Sequence, residues 1–92
     1  MNKTLILGTG SAQIDLIIYL KSIGFQVFTC SNYLSNRAKN YIDGFKEINI
    51  TDYEKVLRYG IKIKPDFIFS IGSDIAVPIY SKVSEKLGLK SF

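Results

Sequence analysis

Residues 5–13 read LILGTGSAQ, three apolar residues running into Gly8, Thr9 and Gly10. Beyond the glycines the chain enters a segment whose apolar residues recur at helical spacing, so the stretch reads as a buried strand handed to a helix through a tight turn. Gly8 and Gly10 allow the backbone to turn sharply and a ligand to come close to the amides. The helix that follows offers unpaired N–H groups and the positive end of its dipole, which makes an anion the natural guest. The same two glycines would also serve a bare strand-to-helix turn, because Gly-x-Gly alone is a weak signal.

Working outward, residues 26–30 read as a second buried strand, 45–50 as a weaker third, and 66–71 (DFIFSI) as a fourth rich in β-branched and aromatic residues. Between the first two, residues 13–23 place Ile14, Ile17, Ile18 and Leu20 on one broad apolar stripe, with Gly24 where a left-handed helix cap belongs. Residues 33–43 are polar in SNRAKN and apolar at Tyr33, Leu34, Tyr41 and Ile42, which fits a short helix or a structured loop. Residues 51–61 predict a helix capped by Thr51 with Glu54 as its capping-box partner, Gly60 weakening the last turn. A final helix begins near residues 74–77, since Pro78 is tolerated only in a first turn, and closes at Gly88.

Strands alternating with helices of this length imply parallel pairing through right-handed crossovers. The expected fold is therefore α/β: a three-layer, Rossmann-like half-domain of about four parallel strands in the order 3-2-1-4, with helices on both faces. Residues 1–92 are expected to form one domain. Ligands of such sheets sit at the carboxyl ends of the strands.

Composition narrows the chemistry. Apolar residues make up 47% and charged residues 22%, the range of ordinary globular chains. The net charge of +4 comes from singly scattered lysines and arginines, which supports a solvated surface over a nucleic-acid arm. Histidine is absent and Cys30 is the only cysteine, so no disulfide, metal cluster, triad or acid–base pair is expected, and no catalytic or metal-ligating residue is assigned. Cys30, on a buried strand without a basic neighbour in sequence, reads as an inert core thiol. The apolar run before Gly8 is shorter than the ~7 residues of a signal-peptide core, and no run reaches the ~18 of a membrane span. A cytoplasmic chain with neither membrane nor nucleic-acid partners is the expectation.

The dinucleotide fingerprint fails two of its tests. Gln13 stands where a Gly or Ala would let the helix pack closely, and the end of the second strand reads Thr29, Cys30, Ser31, Asn32, without the carboxylate that grips a ribose. Ser31 and Arg37 could instead accommodate a 2′-phosphate, so a stand-alone module binding NADP or NAD stays open as the alternative. At the end of the fourth strand, IGSDIAVP supplies Gly72, Ser73 and Asp74, the last as a helix cap, a ligand residue or both.

Taken together, ILGTGSAQIDLIIYLKSIGFQVFTCS, DGFKEINITDYEKVL and PDFIFSIGSDIAVPIYSKVSEKLGL resemble the N-terminal domain that precedes the ATP-grasp fold in carboxylate-amine ligases related to the carbamoyl-phosphate synthase large subunit. The resemblance implies a Rossmann-like sheet that does not bind NAD and lines a substrate cleft. Facing it, a larger ATP-grasp domain holds ATP and Mg²⁺ and makes an acyl-phosphate for attack by an amine. By position, Gly8, Thr9, Gly10, Ser11 and Gln13 would line one wall of the cleft and Gly72, Ser73 and Asp74 the other, with Ser31 and Asn32 at the end of strand two. The resemblance places the ATP-grasp domain after Phe92, so this chain is expected to hold no cofactor and to be inactive alone. Its expected partners are a carboxylate or amine substrate, that second domain or a separate chain carrying it, and a second copy through an exposed apolar face.

Overall fold

The computed structural model describes residues 2–70 and 76–89. Four strands, β1 (Lys3–Leu7), β2 (Gln26–Ser31), β3 (Gly44–Glu47) and β4 (Phe67–Phe69), alternate with four helices, α1 (Ser11–Ser22), α2 (Asn36–Lys39), α3 (Tyr53–Ile63) and α4 (Ala76–Lys86). The strands form one sheet in the order β3-β2-β1-β4, every pair parallel. This is the topology expected from the alternation of strands and helices.

Register sorts the side chains. Leu5 lies opposite Phe28 and Ile68, and Leu7 opposite Cys30, so these residues share one face. There they pack with Val56 and Ile63 of α3 and Ala76 and Val83 of α4. On the opposite face Ile6 and Val27 pack with Ile14, Ile17 and Leu20 of α1 and Ala38 of α2. The sheet is thus the middle of three layers. Each fully buried Val, Leu or Ile contributes roughly 1.5–3 kcal/mol of transfer free energy, which is why neither face is dispensable in so short a chain.

The ends of α1 and α4 follow one pattern. Phe25 N–H donates to Leu20 C=O and Gly24 N–H to Lys21 C=O, with Gly24 at φ 92°; Leu89 and Gly88 repeat the arrangement on Ser84 and Glu85. These are Schellman closures, and they hold Phe25 at the start of the next strand, where its ring meets Phe67 edge to face at 5.4 Å. Pro78 is the third residue of α4, inside the first turn.

Two helical details differ from the expectation. Asp52, not Thr51, caps α3, accepting from Lys55 N–H at 3.2 Å. Thr51 is held instead by Asn49, whose side-chain oxygen accepts from both its N–H and its hydroxyl. The helix also runs past Gly60 to Ile63. Gly60 is buried against α4, where an added Cβ would come within 3.0 Å of Leu87, so it serves a close crossing of two helices.

The amino ends of the sheet are stitched by two aspartates. Asp43 accepts from Val27 N–H at 2.7 Å while its own N–H donates to Val27 C=O, and it pairs with Lys21 at 2.9 Å. Asp66 repeats the exchange with Lys3, accepting at 2.7 Å and donating at 2.8 Å. The first links β2 to the approach to β3, the second β1 to the approach to β4.

Candidate functional site

At the carboxyl end of β1 the chain turns through Gly8, whose φ of 107° lies in the region only glycine enters freely. Gly8 N–H donates to Cys30 C=O at 2.8 Å, carrying the β1–β2 ladder one step into the loop. Gly10 is the N-cap of α1 and offers no capping side chain of its own, and the first turn holds no acidic residue. By contrast α2 is capped by Ser35 and α3 by Asp52. The open positive end of α1, with Ser11 and Ala12 exposed beside it, suits an anionic or strongly dipolar group.

The other expected residues divide into those facing inward and those exposed. Gln13 is only 5% exposed, its Cγ lying 3.4 Å from where a Cβ on Gly8 would sit. It fills the space under the loop. Thr9 is buried as well: its hydroxyl donates to Tyr33 C=O at 2.9 Å and accepts from Ser35 N–H at 3.2 Å, while Ser35 Oγ donates to Thr9 C=O at 2.7 Å. Ser31 also donates its hydroxyl to Tyr33 C=O. Asn32 is exposed next to it. The loops after β1 and β2 are therefore laced into one unit. Ser70 Oγ donates to Leu7 C=O at 2.7 Å in a buried contact that ties the end of β4 to the same edge. Gly72, Ser73 and Asp74 lie outside the described residues.

Tyr33 and Ser35 were not singled out from the sequence. Tyr33 is 62% exposed, and its hydroxyl stands 3.7 Å from the position a Cβ would take on Gly10, at the lip of the open helix end. Ser35 caps α2 by accepting from Ala38 N–H, and the SNRAK pattern that signals such a cap was the available clue. Arg37 is exposed on α2.

Burial raises the Cys30 thiol to about 12, so it stays protonated and unreactive through the physiological range. Among the described residues no group of three or more His, Cys, Asp or Glu side chains gathers to hold a metal ion. No described helix is long and apolar enough to cross a membrane.

The architecture and its open loop end define a Rossmann-like α/β domain. Among solved structures, phosphoribosylglycinamide synthetase from Anaerococcus prevotii superimposes with a TM-score of 0.88 at 19% identity, over 97% of this chain and 23% of that one. N5-carboxyaminoimidazole ribonucleotide synthetase from Thermotoga maritima matches at 0.75 and 21%, over 94% and 23%. The UDP-glucose 4-epimerase of the same organism, with UDP-glucose, matches at 0.77 and 20%, over 96% and 35%. The chain thus spans about a quarter to a third of the length of these proteins. No protein-family profile matches the sequence, and no curated protein matches it. At these identities the likeness establishes the fold.

Proposed function

We propose that this chain is the substrate-side N-terminal domain of an ATP-dependent carboxylate-amine ligase of the carbamoyl-phosphate synthase kind. The observation that carries the reading is the glycine N-cap of α1 at the carboxyl edge of the sheet, with no acidic residue in the first turn, set beside a β2 terminus without a carboxylate. The geometry of the loop after β1 supports backbone recognition of an anionic substrate group, with Gly8, Thr9, Gly10 and Ser11 as one wall of a cleft; the resemblance, not the described residues, assigns Gly72, Ser73 and Asp74 to the other. Gln13 supports that wall from beneath. The two synthetases among the structural neighbours support the same reading. In this proposal ATP and Mg²⁺ belong to an ATP-grasp domain, on the same polypeptide or a separate one, and the complete enzyme works in the cytoplasm.

The alternative is a nucleotide-binding module taking NAD or NADP. The match to a Bordetella bronchiseptica enzyme in complex with NAD⁺ favours it. Against it, the residues at the end of β2 do not fit the ribose: Ser31 is buried with its hydroxyl engaged by Tyr33, and no acid stands there.

Titration calorimetry of the 92-residue chain with NAD, NADP and ATP, followed by turnover assays with and without an added ATP-grasp domain, separates the two. The expected result is no micromolar binding of a nicotinamide cofactor and ADP release only when the second domain is present. Micromolar NAD or NADP binding, or turnover by this chain alone, overturns the ligase reading.

A further inference from the structure

Away from the glycine loop, a groove of about 330 Å³ runs between the outer edge of β3 and α3. Lys46, Glu47, Lys55, Arg58, Tyr59 and Lys62 line it. Four of these lining residues are cationic and one is acidic, which concentrates most of the chain's net +4 in one place. Among the described residues Lys46, Arg58 and Lys62 have no acidic group within 4.0 Å, and Lys55 reaches Asp52 only at that limit. Tyr59 is half-buried in the wall, its hydroxyl pushed up to about 12 by burial first and by Cys30 second, so it remains a donor.

Three features fix what this groove suits. Lys55, Arg58 and Lys62 share one helix face and extend over roughly 10 Å, a row of cations rather than a converging nest for one phosphate. Second, β3 pairs with β2 alone among the described strands, leaving the backbone groups of its other side at the sheet edge. An extended polypeptide can complete such an edge by main-chain hydrogen bonds, which other polyanions cannot do. Third, acidic residues alternating along a strand recur every ~6.6 Å, close to the ~6 Å rise between Arg58 and Lys62.

We infer that the β3 edge and the basic face of α3 form a docking groove for an extended acidic segment of another polypeptide, which adds a strand beside β3 and lays its carboxylates along α3. This site is separate from the glycine loop, and it stands or falls independently of the ligase reading.

Fluorescence polarisation with a labelled ten-residue peptide alternating glutamate and valine tests it, with circular dichroism confirming that each variant is folded. Saturable binding is expected, weakened at least tenfold by Arg58→Glu with Lys62→Glu and unchanged within twofold by Lys39→Glu on the opposite face. Methylating alternate backbone nitrogens of the peptide, which leaves its charge intact, should weaken binding at least fivefold. Absence of binding, indifference to the α3 reversals, equal binding of the methylated peptide, or displacement by tripolyphosphate or duplex DNA at lower charge concentration than by unlabelled peptide would each overturn the proposal.

Discussion

Thr9→Val isolates the lacing between the two loops. The side-chain hydroxyl of Thr9 makes two bonds, to Tyr33 C=O at 2.9 Å and from Ser35 N–H at 3.2 Å, and valine matches its shape without making either. The Tyr33 carbonyl keeps Ser31 as a donor, so its loss is one ordinary hydrogen bond, ~1 kcal/mol. Ser35 N–H loses its acceptor in a partly buried setting, which costs ~1–2 kcal/mol more. The expected destabilisation is about 2–3 kcal/mol, a large share of the ~5–14 kcal/mol typical of a domain this size. In urea unfolding followed by circular dichroism, with a slope of ~1–1.5 kcal/mol per molar, the midpoint should fall by ~2 M. Thr9→Ser supplies the comparison: it keeps both bonds and loses one methyl group, ~1 kcal/mol. The Ser35 amide should exchange with deuterium faster in the valine variant and nearly as in the parent in the serine variant. A valine variant as stable as the serine one would refute the hydrogen-bond account and leave loop packing as the cause.

Asp43→Ala should destabilise by about 1.5–3 kcal/mol through loss of the charged bond to Val27 N–H, whereas Lys21→Met, which removes only the exposed ion pair, should cost under ~1 kcal/mol; denaturant melts of both variants check the order. Thr29 Oγ1 is buried and finds no hydrogen-bond partner among the described residues, so Thr29→Val should raise stability by ~1 kcal/mol, read as a higher melting temperature. The Cys30 thiol is raised from 9.0 to about 12, so above pH 9 the unfolded chain releases a proton that the native chain keeps. Its contribution is fully present below pH 9 and falls by ~1.4 kcal/mol per pH unit above it; Cys30→Ala should flatten that component between pH 9 and 10, and the native thiol should resist a disulfide reagent at pH 8.

The layer order was legible because the apolar runs at β1, β2 and β4 are short, continuous and separated by helical spacings, and right-handed crossovers leave few ways to order the strands. What the sequence hid is chiefly non-local. The exchange between Asp66 and Lys3 joins residues 63 positions apart, and Thr9 meets Ser35 across 26. No local pattern marks such partners. The cap of α3 lies one residue beyond the one the sequence pattern favours for a different reason: Thr51 and Asp52 are both competent caps, and Asn49 decides between them by engaging Thr51 first. Gly60 reads as a weak turn in isolation, and its purpose becomes visible only when α4 lies against it.

The aspartate stitches carry an implication for how such a domain changes over generations. Asp43 and Asp66 set strand alignment from the amino edge, opposite the loops that face the candidate cleft. Alignment and, on the proposed reading, recognition thus occupy opposite margins of the sheet. Exposed positions such as Ser11, Ala12 and Asn32 are free to diversify toward new guests without disturbing the pairing of the strands. The scaffold is evolvable at one rim because it is anchored at the other.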